Sequence, residues 1–224
     1  MDHIQYSKNV LDPVRFKELK ELCVNHVQDI PTYNFCRKTE DSSNYLEEII
    51  RHLIGRDNHV EYWVRNNTNP TLFHVDANEL EQKILDVRNR GLYQYVKPQF
   101  PLNTHVFFVD IHPKMQGGDL YILPDRWYQA GRPILDTSFE PEENDKLLRI
   151  KPVENELVFW TKPIYHCVSE VRNTEIVQNR ISFMFSSWDY VPKVYEKHEH
   201  WGNYNNDFIA GRQHEPKPME FDIK

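Results

Sequence analysis

His74 and Asp76 are the residues of this sequence whose types and spacing most directly suggest chemistry. They are two residues apart, and on a β-strand that spacing directs both side chains to the same face. An imidazole and a carboxylate on one face supply two of the three ligands of a 2-His-1-carboxylate site, which holds Fe(II) and leaves positions open for substrate and oxygen. His166, at the start of a later predicted strand, is the candidate for the third ligand.

Arg180 and Ser182 form a second pair that shares a strand face, on the strand predicted to follow His166. A guanidinium donates two parallel hydrogen bonds to a carboxylate, and a nearby hydroxyl adds a third. The pair therefore indicates a binding site for a carboxylate, and we expect Arg180 to hold a co-substrate of that kind.

Two helices are predicted ahead of these residues. Asp12 and Pro13 are typical of an N-cap and a first helical position, and apolar residues recur at helical spacing from there to Val27. Ser42 and Ser43 are predicted to cap a second amphipathic helix that ends at Gly55. A third helix is predicted over 78–90.

Short β-rich runs divided by Pro, Asn and Asp dominate the rest of the sequence. We predict strands over 60–64, 71–76, 104–110, 118–123, 146–152, 156–160, 166–171 and 180–188. Such a series after a helical beginning predicts a mainly β (α+β) fold, a β-sandwich or jelly roll with helices packed on one sheet. We expect a single domain over 1–224, with a helical N-terminal part (1–58), a β core (59–190) and a polar C-terminal extension (191–224).

Composition excludes several classes of protein. The net charge of −7 argues against a general nucleic-acid-binding protein, and three cysteines with no CxxC pair indicate neither a disulfide scaffold nor a structural zinc site. No basic start precedes an apolar stretch as in a signal peptide, and no apolar run reaches the ~18 residues of a membrane span. We therefore expect a cytoplasmic protein with no membrane partner.

The order of these motifs resembles that of the Fe(II)/2-oxoglutarate-dependent dioxygenases, in particular their prolyl-hydroxylase-like members. The likeness extends from about Tyr62 to Trp188, and its C-terminal half is carried by Gly117-Gly118-Asp119-Leu120, Glu156-Leu157-Val158-Phe159, His166 and the Arg180–Ser182 pair. The resemblance implies a double-stranded β-helix in which His74, Asp76 and His166 bind iron. It also implies that Arg180 and Ser182 bind the distal carboxylate of 2-oxoglutarate.

The resemblance further implies a reaction with O₂ in which 2-oxoglutarate is converted to succinate and CO₂ while a substrate is oxidised. Relatives that halogenate lack the carboxylate ligand, so Asp76 favours hydroxylation, desaturation or demethylation. The predicted helix after Asp76 and the long interval from His166 to Arg180 depart from the usual family pattern. The substrate stays open, and we expect a small molecule or an amino-acid-type compound before a protein side chain.

Other residues have competing interpretations. Asp110 and His112 form another same-face pair, but Pro113 follows, which indicates a strand end. His198 and His200 lie in the polar tail, Cys167 is expected to be core, and Gly117-Gly118 to be a tight turn. Aromatic residues on the predicted strands could line a pocket, although such residues usually belong to the core: Tyr62, Tyr95, Phe107 and Trp160.

Two other functions remain open at this point. A cupin-type metal enzyme would use the metal without 2-oxoglutarate, and Arg180 and Ser182 would then have no role. A non-catalytic binding module would keep the fold, and the intact set of ligands argues against it.

Overall fold

The structure, a computed structural model, describes residues 3–26, 33–36, 42, 44–55, 59–77, 99–127 and 146–190. The elements that these residues form are, in chain order, β1 (Ile4–Lys8), α1 (Pro13–His26), β2 (Tyr33–Cys36), α2 (Tyr45–Ile54), β3 (His59–Asn66), β4 (Asn103–Ile111), β5 (Leu120–Trp127), β6 (Leu148–Ile150), β7 (Glu156–Trp160), β8 (Ile164–Val168) and β9 (Arg180–Trp188). In these ranges the architecture is mostly β with two helices, which confirms the predicted mainly β class. No helix in these ranges is both long and apolar enough to cross a membrane.

Both described helices begin and end near their predicted positions. Asp12 caps α1 by accepting hydrogen bonds from the backbone N–H groups of Val14 and Arg15. The predicted cap of α2 was wrong: Asn44, and not the Ser42–Ser43 pair, accepts from the N–H of Glu47. Asparagine caps a helix as well as serine does, and it stands directly before the first helical residue. Gly55 ends α2 with a left-handed φ of 75°.

Two antiparallel sheets contain all the described strands. The large sheet has the order β1-β7-β4-β9-β3-β2, and the small sheet has the order β6-β5-β8. Strands β7 and β9 have the predicted bounds, and β3 and β4 extend their predictions by one or two residues at each end. The predictions for β5, β6 and β8 were displaced by two or more residues at one end or both. Strands β1 and β2, which lie at the two edges of the large sheet, were not predicted.

The predicted strand over 71–76 is absent. His74 forms only an isolated bridge with His166 of β8, because the chain bends at Phe73 and cannot continue the ladder. Each residue of this bridge donates its backbone N–H to the carbonyl of the other, over 3.0 and 2.9 Å. The helix predicted over 78–90 lies outside the described residues.

Side-chain alternation gives the large sheet two different faces. One, the helix face, carries Phe107, Phe183 and Phe185, which pack with the buried residues of α1 and α2. The other, the inner face, carries Val106 and Val158, which pack with β5 and β8 of the small sheet. Both helices therefore lie against one face of the large sheet, and the small sheet covers the other.

Candidate metal centre and adjoining anion site

His74, Asp76 and His166 come together at the edge of the small sheet. Their candidate ligand atoms all lie within 4.8 Å of one another. One Asp76 oxygen is 3.9 Å from His74 Nε2, and the other is 3.6 Å from His166 Nε2. The backbone bridge between His74 and His166 sets the two rings side by side, with centroids 4.3 Å apart. His74 and Asp76 thus converge with His166 through a single bridge and the two residues that follow it, and not through the predicted strand.

Backbone carbonyls orient both imidazoles. His74 Nδ1 lies 2.8 Å from the carbonyl oxygen of Leu72, and His166 Nδ1 lies 3.0 Å from that of Ile164. A carbonyl oxygen only accepts, so each Nδ1 carries a proton, and Nε2 is the ring nitrogen left to bind a metal. This is the arrangement by which proteins usually fix the tautomer and direction of a metal-binding histidine. Neither carbonyl was predicted from the sequence to orient a histidine. Each is a backbone group, and it belongs to the residue two positions before its histidine.

Burial keeps His166 in its metal-binding form. The pKa of His166 is lowered to about 4, chiefly by burial; the Asp76 carboxylate opposes this shift and His74 adds to it. The imidazole is therefore neutral near physiological pH and offers a lone pair and not a second proton. Two imidazoles and one carboxylate form a donor set suited to Fe(II). At bond lengths of about 2.0–2.2 Å, small side-chain rotations would bring these atoms onto one ion.

The competing Asp110–His112 pair is engaged in other contacts. Asp110 forms an ion pair with Lys20 at 2.9 Å and accepts a hydrogen bond from Asn179. His112 Nδ1 accepts from the backbone N–H of Lys114. Within the described ranges, only His74, Asp76 and His166 meet as a group of three potential metal ligands. His198 and His200 lie outside those ranges.

Arg180 is a buried cation at the start of β9, with 1% of its surface exposed. Its Nε donates to the carbonyl oxygen of Gly118 at 2.7 Å, and its Nη1 donates to Ser182 Oγ at 3.2 Å. The guanidinium carbon lies 5.8 Å from the ring centre of Phe108. Its Nη2 is buried and has no hydrogen-bond partner among the residues that the structure describes.

Arg180 keeps its charge despite this burial. Burial lowers its pKa to about 10, and the carboxylate of Asp119 opposes the shift. The guanidinium is therefore still protonated near neutral pH. The buried Nη2 group of this cation is a hydrogen-bond donor that an anion or another acceptor would satisfy.

Two glycines form the turn that lies beside the Arg180 side chain. Gly117 and Gly118 have left-handed φ values of 80° and 70°. A Cβ on Gly117 would overlap the carbonyl oxygen of Glu170, and one on Gly118 would lie 3.1 Å from Arg180 Cδ. The turn predicted from these glycines therefore also shapes the passage of the Arg180 side chain.

Strand register along the inner face of the large sheet relates the two candidate sites to each other. Trp160, Thr104 and Ser186 are partners across β7, β4 and β9, and the Trp160 ring centre is 4.8 Å from that of His166. Phe108 and Ser182, which contact Arg180, are partners two rows further along the same strands. Two rows correspond to about 13 Å of strand. The row between them is apolar: Val158, Val106 and Met184.

The predicted pocket residues lie in different places. Trp160 is buried beside His166 on the inner face. Tyr62 and Phe107 belong to the core under the helices, where the Tyr62 hydroxyl donates to Glu47 at 2.9 Å. The structure thus does not bring them to the metal-ligand cluster, because alternation along β3 and β4 turns them to the helix face. Tyr95 lies outside the described residues.

Comparison with known proteins gives similarity to solved structures alone. No family model and no curated protein matches this chain. Similar structures include a Pseudomonas putida prolyl-4-hydroxylase, at 11% identity over 84% of this chain and 94% of that one, with a TM-score of 0.49. A 2OG-Fe(II) oxygenase family oxidoreductase from Burkholderia pseudomallei has 12% identity, coverage of 84% and 85%, and a TM-score of 0.46.

A further similar structure is that of the epimerase SnoN in complex with Fe3+, alpha ketoglutarate and nogalamycin RO. Its identity is 13%, with coverage of 84% of this chain and 79% of that one, and its TM-score is 0.48. The name of the Burkholderia pseudomallei structure is that of the superfamily that the sequence resembles.

Proposed function

We propose that this chain is an Fe(II)- and 2-oxoglutarate-dependent oxygenase that hydroxylates its substrate and releases succinate and CO₂. The observation that carries the proposal is the convergence of His74 Nε2, His166 Nε2 and the Asp76 carboxylate, with both imidazoles oriented by backbone carbonyls. A facial set of two histidines and one carboxylate is the donor set of non-haem Fe(II) oxygenases.

The strand order supports a double-stranded β-helix, or jelly roll, as the fold. From β3 onward the chain passes to the small sheet at His74, returns at β4, and crosses again to β5 and β6. It then alternates through β7, β8 and β9 between the large and small sheets. The result is two facing four-membered layers, β7-β4-β9-β3 and β6-β5-β8-His74. Jelly rolls are built from two antiparallel sheets of this kind.

Each member of the cluster has a defined part in the proposed reaction. His74, Asp76 and His166 would hold the iron, and the protein would leave its remaining positions to 2-oxoglutarate and O₂. When bound, the iron supplies the oxygen-activating chemistry, which no side chain in the site can supply. The Nε2 atoms of both histidines lie within 4 Å of the Asp76 carboxylate and are the donors for this role.

Arg180 and Ser182 would bind the distal carboxylate of 2-oxoglutarate. Arg180 Nη2, which has no partner among the described residues, and the Ser182 hydroxyl are donors on one face of β9. Ser182 lies two rows, or ~13 Å of strand, from the row of Trp160, whose ring lies beside His166. The Arg180 side chain and the ligand together span that interval. The apolar row of Val158, Val106 and Met184 lies between and suits the methylene groups of a diacid. It also excludes water, which strengthens the charge pair.

The Arg180 geometry also separates the competing functions. In a cupin-type enzyme without 2-oxoglutarate, a buried cation with an unpaired donor on the inner face would have no function. A non-catalytic binding module has no use for histidines that are fixed in the metal-binding tautomer. Both alternatives therefore leave a costly arrangement unexplained.

A titration of the purified protein tests the proposal. Fe(II) and then 2-oxoglutarate are added without oxygen, and we expect a weak metal-to-ligand charge-transfer absorption in the visible region. Admission of air should then release succinate. Glutarate, which lacks the keto group needed for chelation, is the matched control and should give no band. Iron binding without any response to 2-oxoglutarate would favour the cupin-type enzyme, and absence of metal binding would favour the binding module.

Gly118→Ala is expected to weaken binding of 2-oxoglutarate without loss of Fe(II) binding. The new methyl group would meet Arg180 Cδ at 3.1 Å and Met115 Sδ at 3.0 Å, so the guanidinium has to move. A displacement that costs about 1.4 kcal/mol of ligand binding raises the dissociation constant about tenfold. The charge-transfer titration measures this constant.

Gly55→Ala is the matched control for that variant. Gly55 also has a left-handed φ, but a Cβ there would meet nothing within 4 Å. Both variants should lose thermal stability through backbone strain, yet only Gly118→Ala should lose 2-oxoglutarate affinity. Equal affinities in the two variants would mean that Gly118 does not shape the anion site.

A further inference from the structure

The inner face of β9 continues past the proposed metal centre to two further polar side chains, Ser186 and Trp188. Alternation along β9 puts Ile181, Phe183 and Phe185 on the helix face, so Arg180, Ser182, Ser186 and Trp188 share the inner face. Ser186 and Trp188 are 0% and 1% exposed. They stand at the end of the strand opposite to Arg180.

Ser186 and Trp188 each carry a polar atom that finds no partner in the described part of the chain. Ser186 Oγ and the indole Nε1 of Trp188 are buried and have no hydrogen-bond partner among the described residues. Buried donors without partners are rare, because each loses its hydrogen bonds to water and gains none in return. Alanine and phenylalanine would fill much the same space without this cost. The two donors therefore lack an acceptor among the residues that the structure describes and are placed to bind one.

The register connects these donors with the metal centre. Ser186 pairs with Thr104, Thr104 pairs with Trp160, and the Trp160 ring lies beside His166. If 2-oxoglutarate extends from the metal toward Arg180, a substrate has to approach from the other end of the same face. That end is where Ser186 and Trp188 lie. This step rests on the proposed function.

The charges nearby indicate what kind of group the donors would bind. An indole N–H only donates, so its partner has to be an acceptor. Glu61 is the strand partner of Ser186 on β3, and it lies on the same face because its neighbours Val60 and Tyr62 belong to the helix-face core. A carboxylate there disfavours an anionic partner. His59 is the strand partner of Trp188 on this face, and the described residues in register with Ser186 and Trp188 there include no lysine or arginine.

We propose that Ser186 and Trp188 bind a neutral carbonyl group of the substrate, an amide carbonyl in the first instance, and so position the substrate over the metal centre. They are specificity residues and take no part in the oxidation itself. Whatever covers the two donors in the free protein has to be displaced by the substrate. Tyr190, whose ring packs edge-on against Trp188 with centroids 5.6 Å apart, is the described residue placed to move.

A first experiment uses the free protein. Ser186→Ala should leave the melting temperature unchanged or raise it, because it removes an unsatisfied hydroxyl. Ser187→Ala is the matched control: its hydroxyl is equally buried, faces the opposite side of β9, and accepts a hydrogen bond from Asn103 at 3.1 Å. That variant should melt lower. A clear loss of stability in Ser186→Ala would assign Ser186 a structural role and overturn the proposal.

A second experiment measures recognition in protein loaded with Zn(II), which is diamagnetic, and 2-oxoglutarate. The probes are N-acetyl amino-acid amides, with the corresponding N-acetyl amino acids as anionic counterparts. The ¹⁵N-labelled indole resonance of Trp188, assigned with Trp188→Phe, should shift with at least one amide and not with its acid. Ser186→Ala should weaken that binding at least tenfold, and Ser187→Ala should not.

The outcomes separate the two levels of inference. If no amide shifts the Trp188 resonance, or if Ser186→Ala and Ser187→Ala bind the amide equally, the substrate proposal is wrong. The Fe(II) and 2-oxoglutarate titration, run on the same variants, shows in that case whether the oxygenase proposal survives. Failure of the wild type in that titration overturns both.

Discussion

Replacement of His166 with alanine is expected to abolish Fe(II) binding at micromolar protein and, with it, all 2-oxoglutarate-dependent release of succinate. His166 supplies one of only three proposed ligands, and its Nε2 already points at the Asp76 carboxylate from 3.6 Å. Loss of a residue that merely supports a ligand commonly costs 10–100-fold in metal affinity, so loss of the ligand itself should exceed about 100-fold. Anaerobic titration with Fe(II) and an assay of succinate in air measure the two effects.

Val168→Ala is the control for His166→Ala. Val168 lies two residues further along β8, packs in the same core between the sheets, and is similarly buried. Its truncation should lower the melting temperature by making a cavity, yet it should leave Fe(II) binding within a few-fold of the wild type. If His166→Ala still bound Fe(II) as tightly as Val168→Ala, the metal centre would have to be sought elsewhere in the chain.

The second large effect is expected at Arg180. Arg180→Met should raise the dissociation constant for 2-oxoglutarate about 100-fold or more while Fe(II) alone binds as before. Methionine keeps the packing against Phe108, but it removes the charge-assisted hydrogen bonds that a carboxylate would accept. Two such bonds at about 1.5 kcal/mol each correspond to roughly a hundredfold in affinity. The charge-transfer band, followed against 2-oxoglutarate concentration, gives the constant.

Arg180→Lys and the stability of Arg180→Met make the interpretation specific. Lysine keeps the positive charge but not the planar fork, so its affinity should lie between those of the wild type and Arg180→Met. Exchange of a buried charge for an apolar side chain is often neutral or stabilising, so Arg180→Met should fold in the absence of ligand. Unchanged 2-oxoglutarate binding in Arg180→Met would make Arg180 a purely structural residue, held by Gly118 and Ser182.

Local patterns in the sequence sufficed for the elements with strong internal signals. Strands β7 and β9 have their predicted bounds because apolar and aromatic residues form the majority of each, and an asparagine directly precedes each. Strands β1 and β2 could not be predicted in this way. They are short, and the residues of β1 are mostly polar and exposed, since this strand lies at a sheet edge where only one neighbour requires an apolar contact.

The candidate site shows a different limit of sequence reasoning. The prediction that His74 and Asp76 converge depended on a strand, and the structure has none there. Their convergence with His166 depends on backbone hydrogen bonds between segments far apart in sequence, which no local pattern encodes. The same holds for the contact of Arg180 with Gly118. Alternation with Val60 and Val64 would, by contrast, have assigned Tyr62 to the helix face in advance.

The attachment of the segment around His74 to β8 has a thermodynamic consequence. This segment meets β8 through the His74 bridge, through hydrogen bonds between Thr71 and Val168, and through packing of Val75 with Tyr165. A metal held by His74, Asp76 and His166 would be a coordinate cross-link between them, so ion binding and folding would be thermodynamically linked. At an Fe(II) concentration 100 times its dissociation constant, the linkage contributes about 2.7 kcal/mol to the folded state.

For a chain of this length that contribution should raise the melting temperature by roughly 5–11 °C. Chelation should reverse the increase, and His166→Ala should not show it. Amide hydrogen exchange at His74 should slow by up to about 100-fold when the ion binds, if exchange there requires the cross-link to open. The segment that supplies two of the proposed ligands would then be the part of the fold whose protection from hydrogen exchange depends on the Fe(II) concentration.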